Sequence, residues 1–192
     1  MSMQSLTTES LVRKSLARTE HMNPDTDIIV RDARWEAAIP GVIELCGVAA
    51  GAAFHASAVQ PPHAEASLVL ADDDFVASLN KQYRDREGPT NVLSFAAYDN
   101  VDELTSLPDG MPAMLGDIIV AYDTTEREAQ QSGVVLDDHL RHLVVHGMLH
   151  LLGYDHISDE QASEMEPLET KVLAQLGVAD PYRDEGVERD ND

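Results

Sequence analysis

Five of the eight histidines in this 192-residue chain lie between positions 139 and 156. The densest stretch reads His146-Gly147-Met148-Leu149-His150-Leu151-Leu152-Gly153-Tyr154-Asp155-His156. An α-helix turns about 100° per residue, so residues four apart share a face. His146 and His150 therefore project together, one turn apart, which is the bite of two imidazoles on one zinc ion. Gly153 follows three residues later, and glycine takes the left-handed conformation that ends a helix and turns the chain. That turn returns His156 toward the same point. Three imidazoles with a fourth position left open describe a catalytic type of zinc site, not a closed structural one. Ni²⁺ or Cu²⁺ suits the same ligands. His142 lies on the same stripe as His146. A fourth imidazole would close the open position, so His142 is expected to support the site or to sit as a buried polar group. His139, near the helix start, is expected at the surface.

The spacing His-x3-His-x2-Gly-x2-His is that of the metzincin metalloproteases. In those enzymes a Glu directly follows the first His and acts as general base. Here Gly147 holds that position. The spacing points to zinc-assisted hydrolysis, and the missing carboxylate points away from proteolysis.

A second group is set apart by its charge. Lys81, Arg84 and Arg86 are three of the six Lys and Arg residues in positions 35–180, packed into six consecutive places. The chain as a whole has 13 Lys+Arg against 35 Asp+Glu, a net charge of −22 at pH 7. Such a body repels phosphates, which excludes a generally basic nucleic-acid-coating protein but not a local basic cleft. The single cysteine, Cys46, excludes an internal disulfide framework and a Cys-based zinc site. No apolar run reaches the ~18 residues of a membrane span, and the first residues lack the apolar core of a signal peptide. A soluble, cytoplasmic protein without a membrane partner is expected.

These side chains need a scaffold, and strands alternate with helices along the chain. Ile28–Val30 reads as a strand. Trp35 to Phe54 reads as one Ala-rich helix with Pro40 near its first turn. Ser67–Leu70 is a second strand. Asp72, Asp73 and Asp74 open a helix that runs through Phe75, Leu79 and Tyr83, their carboxylates suiting its N-terminal dipole. Asn91–Phe95 is a third strand, Asn100–Pro112 a long loop and Leu115–Ala121 a fourth strand. Helices follow at Thr124–Gln131, at Asp137–Leu152 (carrying the histidines) and at Ser158–Leu176. The pattern is that of a single α/β or α+β domain over residues 27–178. Residues 1–26 read as a flexible extension and 179–192 as an acidic tail.

Taken together, these residues resemble the YbeY family of bacterial endoribonucleases. Three blocks carry the likeness: Leu79-Asn80 through Tyr83-Arg84 to Thr90-Asn91-Val92-Leu93-Ser94-Phe95; Leu115-Gly116-Asp117-Ile118; and His142 through His146, His150 and Gly153 to His156. The family's central block usually has Asp where this chain has Asn91, which keeps the shape and loses the charge. The resemblance implies an α+β fold, a small mixed β-sheet packed with helices, with the metal site at the end of a long central helix. It implies that His146, His150 and His156 are the metal ligands and that Arg84 is the functionally required arginine.

The expected function is then a zinc-dependent endoribonuclease that cleaves single-stranded rRNA, in small-subunit rRNA 3′-end maturation and ribosome quality control. Its expected partners are single-stranded rRNA and ribosomal particles. Arg84 would bind the scissile phosphate and offset charge in the transition state. No general base stands out in the motif, so a zinc-activated water and the RNA's own 2′-hydroxyl both remain as nucleophiles. Two other readings compete. One is a zinc peptidase, against which Gly147 counts. The other is a non-catalytic ribosome-assembly factor with a structural zinc.

Overall fold

The computed structural model describes residues 24–108 and 110–183. Most of the expected extension and most of the expected acidic tail lie outside the described residues. Four strands are present: β1 (Asp25–Val30), β2 (Ala64–Ala71), β3 (Val92–Ala96) and β4 (Ala113–Ala121). Seven helices are described: α1 (Arg34–Ala38), α2 (Val42–Ala56), α3 (Asp73–Arg84), α4 (Val101–Thr105), α5 (Tyr122–Ser132), α6 (Leu136–Leu151) and α7 (Asp159–Gln175). The strands form one mixed sheet in the order β1-β2-β4-β3. β1, β2 and β4 run parallel, and β3 pairs antiparallel to β4. The fold is α+β.

Both faces of the two central strands are covered, which is why β2 and β4 read as near-continuous apolar runs. Successive side chains on a strand point to opposite faces. Leu68, Leu70, Ile118 and Val120 join the main core with residues of α2, α6 and α7. Val69, Ala71, Ile119 and Ala121 face the other way, against Val76 and Leu79 of α3. Helix α6 packs against α2, α7, β3 and β4. Its Leu140, Leu143, Val144, Val145, Met148, Leu149 and Leu151 are all buried. An element enclosed in this way is a stiff place to mount functional side chains.

The long helix expected over Trp35–Phe54 is instead two helices. Pro40 disfavours helical dihedrals at the residue before it, and Ile39 is extended at φ −125° and ψ 92°. Gly41 then takes φ 81° as the cap of α2. Trp35 is fully buried and its indole N–H donates to the Ala71 carbonyl at 3.2 Å, so the short α1 is pinned to the end of β2. The expected loop at 100–112 contains α4, because the Asn100 side chain accepts the Glu103 N–H at 3.0 Å and caps a first turn. β1 begins at Asp25, inside the stretch read as extension. At the other end, Asp180 accepts the Thr170 hydroxyl at 3.3 Å, so the first residues of the stretch read as tail fold onto α7.

Candidate metal centre

The site is built at the C-terminal end of α6. Leu152 caps the helix, and Gly153 follows with φ 89°. The Gly153 N–H donates to the His150 carbonyl at 3.0 Å and the Tyr154 N–H to the Leu149 carbonyl at 3.1 Å. This pair of bonds is a Schellman motif, which satisfies two carbonyls that the helix end leaves open. The same turn brings the Tyr154 carbonyl 3.0 Å from Nδ1 of His150. That carbonyl can only accept, so His150 carries its proton on Nδ1 and keeps the Nε2 lone pair free. Burial, with the neighbouring rings of His146 and His156, pushes His150 down to about 4, so it is neutral at neutral pH.

Nε2 of His150 lies 3.0 Å from Nε2 of His146. The His156 ring, returned by the turn, stands 5.2 Å centroid to centroid from each of them. One ring nitrogen from each of the three falls within 4.8 Å of the others. Zinc–imidazole bonds of about 2.0–2.1 Å with tetrahedral angles require nitrogens roughly 3.3 Å apart. The His146–His150 pair is within a few tenths of an ångström of that spacing, and the donor set is the borderline nitrogen type zinc takes. The three histidines fit a metal ion.

Behind the three histidines lies a carboxylate. Glu169 of α7 is fully buried. Its Oε2 is 3.4 Å from Nδ1 of His146 and accepts the Tyr182 hydroxyl at 2.9 Å. Its Oε1 has His142 Nε2 at 2.7 Å, a close contact out of hydrogen-bond alignment. Burial alone would raise this carboxyl, but the contacts from His142 and His146 outweigh it and hold Glu169 at about 2. His142 thus stands behind the three histidines. His139 is not a surface residue. It is largely covered and 3.0 Å from Glu128 of α5, whose other contact is the Asn91 carboxamide at 2.9 Å.

Gly147 has a packing reason. A Cβ built there would stand 2.8 Å from Ile118 Cγ2 and 3.1 Å from Ser94 Oγ. Helix α6 lies so close to β3 and β4 at this point that no side chain has room, a glutamate included.

Arg84 is the last residue of α3. The helix ends because Asp85 turns left-handed at φ 53°, its N–H returning to the Asn80 carbonyl. The buried Asn80 side chain then donates to the Gly88 carbonyl at 2.9 Å and ties the following loop down. Arg84 is exposed and makes no salt bridge among the described residues. An open cleft of about 640 Å³ is lined by Arg84, Thr90, Asn91 and Ser94 on one side and by His146, His150 and His156 on the other. The four residues singled out in the sequence therefore border one space. Lys81 is paired with Glu87 at 2.9 Å, and neither it nor Arg86 lines the cleft.

A family model described as Endoribonuclease YbeY matches residues 22–177. The chain belongs to the YbeY family. An endoribonuclease YbeY of Paramagnetospirillum magneticum is 50% identical over 148 residues, covering 77% of this chain and 89% of that one. Another, of Rhodospirillum rubrum, is 48% identical over 156 residues, covering 78% of this chain and 77% of that one. A solution structure from Thermotoga maritima aligns with 85% of this chain and 99% of that one at 22% identity and a TM-score of 0.44.

Within this YbeY chain, Glu169 and Tyr182 escaped the sequence reading. The signal for Glu169 was present: it interrupts a buried stripe of α7 formed by Met165, Val172 and Leu173. A carboxylate at a core position of an amphipathic helix is rare unless it is paired. Among the described residues no helix is long and apolar enough to cross a membrane.

Proposed function

We propose that this protein is a zinc-dependent endoribonuclease that cuts single-stranded rRNA in the cytoplasm, acting in small-subunit rRNA 3′-end maturation and ribosome quality control. One observation carries the reading: an arginine without a salt bridge among the described residues and three convergent imidazoles line the same cleft. Arg84 is exposed at the end of α3, and a guanidinium grips two phosphate oxygens at once. Thr90, Asn91 and Ser94 add polar groups along the same wall, suited to sugar and phosphate contacts. His146, His150 and His156 would hold the metal, which when bound supplies Lewis acidity toward a phosphate oxygen and lowers the pKa of water. Arg84 binds the scissile phosphate and offsets the charge that develops on it. One domain carries both groups, and it reaches past the expected bounds of 27–178 to take in Asp25 at the start of β1 and Tyr182 beside Glu169.

The relatives' name supports the reaction class, and Gly147 argues against a peptidase: the base such an enzyme needs has no room beside Ile118. Metal-loaded protein incubated with single-stranded RNA and with casein separates the readings, with Arg84→Ala as the control for contaminating nucleases. Cleavage of RNA alone, lost in the variant, is the expected result. Cleavage of casein would move the protein to the peptidases. Cleavage of neither would leave a structural metal in an assembly factor.

A further inference from the structure

We propose that Glu169 is the positioning residue of the metal centre, holding the His146 ring so that Nε2 faces the cleft, with His142 and Tyr182 holding Glu169 in turn. The proposal rests on His146, His150 and His156 being the ligands.

His146 and His150 are treated differently by the fold. His150 is oriented by a backbone carbonyl that its own helix end supplies, Tyr154 at 3.0 Å. His146 lies a full turn earlier, where the carbonyls of α6 are engaged within the helix, so it needs an acceptor from elsewhere. The acceptor that reaches its Nδ1 is Oε2 of Glu169, at 3.4 Å and 23 residues away in sequence. A carboxylate behind a metal-ligating imidazole fixes the ring, selects the tautomer and makes the other nitrogen a better donor.

The placement of Glu169 is costly without such a use. Its side chain is fully buried on a stripe otherwise made of Met165, Val172 and Leu173. An apolar residue of that size would pack there without desolvating a charge. Two further groups converge on the carboxylate. His142 Nε2 stands 2.7 Å from Oε1, and the Tyr182 hydroxyl donates to Oε2 at 2.9 Å. Tyr182 comes from the segment after α7, which Asp180 turns back by accepting the Tyr182 N–H at 3.0 Å. The carboxylate therefore draws contacts from α6 and from the chain end, an arrangement that core packing alone does not require.

The same atoms admit one competing use, because His142, His146 and Glu169 together could hold a cation of their own. The experiment separates the two. Full-length wild type, Glu169→Gln, Tyr182→Phe and His150→Ala are titrated with zinc against a chromophoric chelator, and the histidine tautomers of the zinc-free proteins are read by long-range ¹H–¹⁵N NMR. Wild type is expected to bind one zinc per chain, with His146 protonated on Nδ1. Glu169→Gln is expected to weaken zinc binding by ~10–100-fold, since an amide turns one of its two ends into a donor. Its His146 signal becomes a mixture of tautomers while circular dichroism stays native. Tyr182→Phe weakens binding less, by several-fold. Zinc affinity and His146 tautomer both unchanged in Glu169→Gln would overturn the proposal. So would a second zinc in wild type that Glu169→Gln removes with the first retained. If Glu169→Gln does not fold, Tyr182→Phe decides: weaker zinc binding supports the proposal and unchanged binding overturns it. His150→Ala tells the two possible failures apart. If it keeps full zinc, the ligand set itself is wrong. If it loses zinc while the Glu169 variant does not, only the positioning role fails.

Discussion

The two walls of the cleft are built in opposite ways. On the histidine wall, the two histidines carried by α6 have their rear nitrogens turned to an acceptor, the Tyr154 carbonyl for His150 and the Glu169 carboxylate for His146. Their helix is buried against α2, α7 and the sheet. On the opposite wall Arg84 ends an amphipathic helix, exposed and without a salt bridge among the described residues. A metal ion demands ligands within a few tenths of an ångström, so its holders are fixed before it arrives. A strand of nucleic acid brings its own phosphates, and an arginine already spent on a carboxylate could not meet them. In a chain with 35 acidic residues against 13 basic ones, Arg84 forms no salt bridge among the described residues, although Asp99 and Asp155 line the same cleft.

The largest expected effect breaks the histidine wall outright. His150→Ala should take the metal content from about one ion per chain to near none, because two imidazoles do not hold zinc well. Elemental analysis of the purified variant checks this, and full occupancy would refute the ligand assignment. Breaking the other wall should leave the first intact. Arg84→Ala and Arg84→Lys should each slow RNA cleavage by roughly a hundredfold or more, a few kcal/mol of transition-state stabilisation. Metal content and melting temperature should stay at wild-type values. If Arg84 were a helix-end residue and nothing more, the Ala variant would cut normally and lose at most about 1 kcal/mol of stability.

A smaller effect sharpens how rigid the histidine wall is. Gly→Ala inside a helix ordinarily stabilises by roughly 0.5–1 kcal/mol. At Gly147 the new methyl would press on Ile118, which is fully buried and β-branched and cannot swing aside. Gly147→Ala should therefore destabilise by about 1–3 kcal/mol, as overpacked cores do. Chemical denaturation measures it, and a gain in stability would mean that α6 can lift off the sheet. The least effect concerns Cys46, on α2 behind the same wall. Burial pushes its thiol up to about 12, only partly opposed by Arg141. Native protein at pH 8 should resist iodoacetamide, and unfolded protein should react at once.

The histidine wall was the more legible of the two, because its spacing is a local matter. Residues four apart on a helix share a face in any fold, and Gly153 announces the turn that returns His156. The strands were legible for a similar reason: the short apolar runs in β2 and β4 are too brief for helices and are followed at once by helix-start signals. The break at Pro40 was not read, because the apolar spacing of Trp35–Phe54 is helical on both sides of it. α4 was missed because a five-residue helix has no periodicity to read. His139 looked like a surface group, since its partner Glu128 lies on another helix.

By itself, then, the sequence determined that His146, His150 and His156 converge, the order of strands and helices apart from α4 and the division at Pro40, and the acidic character of the body. Each of these is a property of neighbours along the chain, set by helical and strand periodicity and by composition. Tertiary structure decided the rest. It brought the end of α3 to the end of α6, some sixty residues later in sequence, so that Arg84 and the histidines face one cleft. It set α6 so close to β4 that residue 147 has to be glycine. It delivered Glu169 of α7 to the back of His146, and Tyr182 from the segment after α7 to Glu169. No periodicity encodes these approaches, because they depend on how the packed faces of different elements meet, and burial then fixes which polar groups must find one another.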